Sequence, residues 1–70
     1  MSDKTTDSAA KKLRKLRQEK GLSQALLAEK AGINSNYYSK IERGELKPSL
    51  ETYEKIAKAL KVKSSDIFPF

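Results

Sequence analysis

Residues 23–43 read SQALLAEKAGINSNYYSKIER. The stretch predicts two short helices, 24–31 and 35–43, joined by a tight turn. Ser23 and Asn34 stand where each helix needs a side-chain oxygen for its first free amides. Ala28, in the middle of the first helix, is small enough to let a second helix cross close to it. Gly32 takes the turn, because it accepts a positive φ without a steric penalty. Ile33, Tyr38 and Ile41 fall at apolar positions, and Tyr38 and Ile41, three apart, form one buried stripe. Ser35, Asn36 and Lys40 fall on the open face. A helix buried on one side, with small polar side chains at its start, has the shape and chemistry to enter the major groove of DNA.

Working outward, Gly21 ends an earlier helix over about 9–20, capped by Ser8, with Ala9, Leu13 and Leu16 at helical spacing. Residues 1–8 are polar, with nothing to bury, and are expected to be a disordered tail ahead of one domain over 9–70. Downstream, Gly44 closes the second helix of the pair, and Pro48 makes 45–48 a loop. Ser49 caps a helix over 50–60 whose inner stripe is Tyr53, Ile56, Ala57 and Leu60. Ser64 caps a last short helix to about 68, stopped by Pro69. No strand pattern and no repeat occurs. The expected fold is all-α, a compact bundle of five short helices.

Composition narrows the chemistry. The chain has 70 residues, enough for one small domain of modest stability. It has no cysteine and no histidine, which removes disulfides, zinc sites and most nucleophile–base pairs. No enzyme, cofactor or metal is expected. Glu51 and Glu54 imply no pocket and read as support for Lys55 and Lys58. Fifteen Lys and Arg against nine Asp and Glu give a formal charge of +6. That surplus points to a polyanion, nucleic acid before a membrane surface, or simply to a lysine-rich solvated face. No run is long and apolar enough to span a bilayer, so a cytoplasmic, nucleoid-associated protein is expected.

The string from Leu13 to Phe68 resembles the DNA-binding domain of lambdoid phage repressors and Cro proteins, the Xre-like helix-turn-helix family. The matching features are Leu16 with Arg17, the run Gly21, Leu22, Ser23, Gln24, then Leu27 with Ala28, Gly32, the run Ile41, Glu42, Arg43, Gly44, Pro48, Ile56 with Ala57, and Leu60. The resemblance implies a sequence-specific regulator of double-stranded DNA, a repressor by preference, bound as a homodimer to a palindromic operator. It implies base contacts from Ser35, Asn36 and Lys40. It implies phosphate contacts from Gln24, Arg43 and Lys47, with Ser23 first a cap and Tyr37 either a phosphate contact or core-edge packing. Arg17 and Glu42 occupy positions that form a half-buried salt bridge in the family. Ile67, Phe68 and Phe70 are either a plug under the core or a dimer seam.

Two residues depart from the family pattern. Tyr38 stands where an aliphatic side chain is usual, so its hydroxyl needs a partner at the core edge. Leu26 stands where a charge is usual, and either extends the core or marks a partner surface. The second departure supports a rival reading, a protein-interaction adaptor of the same fold, antitoxin-like or coactivator-like. A separate protein regulator of the DNA-bound form is compatible with the first reading.

Overall fold

Three of the helices begin where small polar side chains take over amides that have no partner within the helix. In the computed structural model, which describes residues 4–67 and their side chains from residue 9 on, the elements are α1 (Lys4–Glu19), α2 (Gln24–Ala31), α3 (Ser35–Glu42) and α4 (Leu50–Leu60). A 3-10 turn at Ser64–Asp66 follows. Ser23 Oγ accepts the Leu26 amide at 3.0 Å. Asn34 Oδ1 accepts the amides of Asn36 and Tyr37 at 2.8 and 3.2 Å. Ser49 Oγ accepts the Thr52 amide at 3.2 Å.

The corner between α2 and α3 turns on Gly32, at φ 73°. The left-handed residue lets the Ile33 amide reach back to the Ala28 carbonyl at 2.9 Å, which closes α2 in one step. Lys61 makes the same left-handed exit from α4, at φ 60°, without the freedom of glycine. A side chain in that conformation costs about 1 kcal/mol.

Leu13, Leu27, Tyr38, Ile56, Leu60 and Ile67 are essentially sealed from solvent and form one core with Ala28, Ala31, Ile41 and Ala57. Full burial of each large side chain contributes about 1.5–3 kcal/mol. Helix α2 packs against both α3 and α4, and α1 packs against α3. Ala28 is buried at the middle of α2, as a close crossing requires. No strand occurs among the described residues, and no helix among them is long and apolar enough to cross a membrane.

Three expectations change. Among the described residues there are four α-helices and a 3-10 turn, not five helices. The last segment closes through bonds to the third residue back, Asp66 amide to Lys63 carbonyl and Ile67 amide to Ser64 carbonyl. Second, α1 begins at Lys4, so Ser8 lies inside it rather than before it, and residues 4–8 of the expected tail belong to the helix. Once Ala9, Ala10 and Leu13 hold α1 against the core, adding residues at its start costs little, because nucleation is already complete. Residues 1–3 lie outside those described. Third, α3 ends at Glu42, and Arg43 is its C-cap rather than its last helical residue.

Candidate nucleic-acid interface

Helix α3 is split lengthwise by its sequence. Tyr38, Ile41 and Glu42 are buried, while Ser35, Asn36 and Lys40 are exposed. Asn36 and Lys40 are four apart and share a face. The outer side of α3 therefore presents a hydroxyl, a carboxamide and an ammonium, groups able to address base edges.

A polar network at the buried side fixes the position of α3. Arg17 Nη2 and Nε donate to the two carboxylate oxygens of Glu42 at 2.7 and 2.9 Å. Arg17 Nη1 donates to the Leu22 carbonyl at 2.8 Å, tying the entry of α2 into the same node. Arg14, from the exposed face of α1, brings a second guanidinium to 3.6 Å from Glu42. Burial alone would push the Glu42 carboxyl up, but the Arg17 guanidinium, the neighbouring Tyr38 hydroxyl and the Gln24 amide outweigh it and hold it below the usual carboxylate range. The Glu42 hydrogen bond likewise raises the Arg17 guanidinium, which stays charged.

Gln24 does more than head α2. Its Nε2 donates to Glu42 Oε1 at 3.2 Å, and its Oε1 accepts from Ser39 Oγ at 3.0 Å. These bonds use one of the two amide hydrogens of Gln24. Glu42 accepts and cannot donate, so the orientation of the carboxamide follows from the network. Neither the double engagement of Gln24 nor the part of Ser39 was foreseen. Glutamine on one helix and serine on another carry no periodic signal that joins them.

The remaining site residues fall as follows. Ser23 is exposed, and its hydroxyl oxygen is occupied as the α2 cap. Tyr37 is half-buried and packs against the core, which favours its structural alternative. Lys47 is exposed in the loop after α3. Arg43 is exposed but engaged: its Nε and Nη2 meet Glu45 Oε2 and Oε1 at 2.6 and 3.4 Å. Tyr38 is fully buried and its hydroxyl, beside Glu42 and Arg17, closes no hydrogen bond. Burial raises its pKa far above the ordinary phenol value. Leu26 is 40% exposed, so it does not extend the core. Ile67 is fully buried within its own chain, so it offers no surface to a second copy. It closes the core, as the plug alternative requires. Phe68 and Phe70 lie outside the described residues.

A small-residue crossing, a glycine corner and a pinned helix with a polar outer face define a recurrent architecture, and residues 13–67 match the helix-turn-helix family. The chain belongs to that family. This helix-turn-helix domain is 38% identical over 60 residues to the immunity repressor protein of Bacillus phage phi105, across 86% of this chain and 42% of that one. It is 42% identical over 52 residues to the transcriptional regulator SinR of Bacillus subtilis, across 73% of this chain and 47% of SinR. The chain thus spans under half the length of these curated relatives. Among solved structures, the restriction-modification controller protein C.AhdI from Aeromonas hydrophila superposes with a TM-score of 0.88 at 36% identity, over 90% of this chain and 96% of that one.

Proposed function

We propose that this helix-turn-helix chain is a sequence-specific transcription regulator, a repressor by preference, that places α3 in the major groove of double-stranded DNA. The observation that carries the reading is the division of α3. Its inner side is fixed by Arg17, Gln24 and Glu42, while Ser35, Asn36 and Lys40 stand outward at its start and middle. A reading helix must be rigid, because base contacts require side chains to arrive in register with base edges. Family membership and the regulators among its relatives support the same conclusion.

In this reading Ser35, Asn36 and Lys40 address bases. Lys47, Arg43, Ser23 and the remaining amide hydrogen of Gln24 address phosphates, with Tyr37 at the margin of that set. Two copies bind an inverted repeat with half-sites about one helical turn, ~34 Å, apart. Such a protein acts in the cytoplasm, on the nucleoid. The test is selection of duplexes from a random pool at two salt concentrations. An enriched inverted repeat that survives the higher salt is the expected result. Binding that vanishes at higher salt, with no enriched sequence, overturns the reading.

Exposed leucines favour a second reading. Leu26, Leu46 and Leu50 are 40%, 37% and 60% exposed. A protein-interaction adaptor would use such side chains and be indifferent to Ser35, Asn36 and Lys40. A stoichiometric protein complex that survives alanine at all three positions would favour it.

A further inference from the structure

Arg43 and Glu45 are two residues apart, a spacing at which side chains on a helix do not face each other. They meet because the chain turns between them at Gly44, with φ 77°. The Gly44 amide donates to the Ile41 carbonyl at 3.0 Å and the Glu45 amide to the Lys40 carbonyl at 2.9 Å, which folds Glu45 back over the end of α3. Its carboxylate then meets the Nε and Nη2 edge of Arg43 at 2.6 and 3.4 Å. That two-point, side-on approach is also how a guanidinium grips a phosphate. The positive charge of Lys40 acts on the same carboxylate, so Glu45 lies in the field of two cations from the end of α3.

Resting on the regulator reading above, we propose that Glu45 is an internal phosphate surrogate that suppresses binding to unrelated duplex. In the unbound protein it fills the edge of Arg43 that a duplex phosphate would use. A duplex must displace it and must also accept a negative charge near its own backbone. Both effects weigh most on a duplex held by phosphate contacts alone, which has no base contacts to bring a phosphate into line with Arg43. The pair is half exposed on both sides, at 52% and 53%, so the exchange is open to solvent and cheap enough to reverse. On a matched sequence, the base contacts of α3 offset the displacement. On an unmatched one, Arg43 stays with Glu45. Glu45 therefore widens the gap between specific and non-specific affinity, acting as a specificity-determining residue that contacts no base.

The experiment measures affinity by fluorescence anisotropy for an unrelated duplex and for the duplex enriched by selection. It uses the natural chain, Glu45→Gln, Arg43→Gln and the double variant. All substituted side chains are exposed, and circular dichroism confirms that each variant is helical. Glu45→Gln is expected to tighten binding to the unrelated duplex about three- to tenfold and to steepen its salt slope by about one unit, as Arg43 is released to a phosphate. The gain on the selected duplex is smaller, and most of the gain on the unrelated duplex disappears in the Arg43→Gln background. An equal gain in both backgrounds overturns the proposal, because the effect is then general charge. No gain on either duplex also overturns it. Failure of the natural chain to bind any duplex overturns the regulator reading itself, and this inference with it.

Discussion

Two arginine–glutamate pairs meet at the end of α3, and their shortest contacts are nearly equal, 2.7 Å for Arg17 with Glu42 and 2.6 Å for Arg43 with Glu45. Their surroundings are opposite. The side chains of the inner pair are 13% and 1% exposed, and those of the outer pair 52% and 53%. The same chemistry therefore serves two ends. Inside, water cannot replace either partner, so the pair fixes geometry and neither charge can be lost cheaply. Outside, water and salt compete at every moment, so the pair adds little rigidity and can be exchanged for another anion. Distance alone does not distinguish a scaffold from a contact held in reserve; burial does.

The largest test of this contrast is the paired substitution Arg17→Ala and Arg43→Ala. Arg17→Ala leaves Glu42 buried without its main partner and is expected to cost about 3–5 kcal/mol in urea unfolding, a large part of the stability of a domain this small. Arg43→Ala is expected to leave the unfolding midpoint where it was. A similar loss from both would erase the distinction.

Next comes pH. The Glu42 carboxyl is held below its usual value of 4.5 in the folded protein. Its contribution is therefore complete above that value and is lost as pH falls below it, toward the depressed folded value. Urea midpoints measured from pH 7 to pH 3 should fall below about pH 4.5. Glu42→Gln, although less stable throughout, should lack that component of the fall.

On the outer side the expected effects concern binding. Asn36→Ala is expected to cost about 1–3 kcal/mol on the selected duplex and to relax preference at one base position. Lys47→Ala should weaken all duplexes alike and flatten the salt slope by about one unit. Identical behaviour of the two variants would remove the separation of reader from anchor. The smallest effect concerns the hydroxyl that the inner pair leaves unpartnered. Tyr38→Phe removes it without changing the ring, and should alter stability by less than about 1 kcal/mol, toward greater stability. A large loss would show that the hydroxyl is part of the network around Glu42.

Much of the fold was legible because its signals are local. Ser23 and Ser49 mark helix starts, Gly32 marks a turn, and the bounds read for 24–31 and 50–60 coincide with α2 and α4. The start of α1 was not legible, because the polar residues before Ala9 give no periodic signal and follow the helix through propagation. The final turn differs from the expected helix, because Ser64 opens the turn instead of capping it and Lys63 stands at the cap position. In the site, the open face of α3 could be read from spacing, but not the partners of Gln24 and Arg43. Gln24 is fifteen residues from Ser39 and eighteen from Glu42, so those bonds exist only after α2 and α3 have packed. Glu45 reaches Arg43 through the φ of Gly44, a backbone feature that no side-chain period reports. Ile67 was divided between plug and seam because an apolar residue near a chain end suits either, and the core of this chain claims it.

The grip of Arg17 on both Leu22 and Glu42 also bears on how the domain opens. It closes a loop from the end of α1 to the end of α3, with all of α2 inside. An α3 of eight residues is too short to persist in water by itself, and its inner end cannot fray while Glu42 is held. Amide protons of α2 and α3 should therefore exchange with solvent together, at the rate of global opening, while those at the start of α1 exchange sooner. Proteases would meet α3 either intact or within a fully unfolded chain.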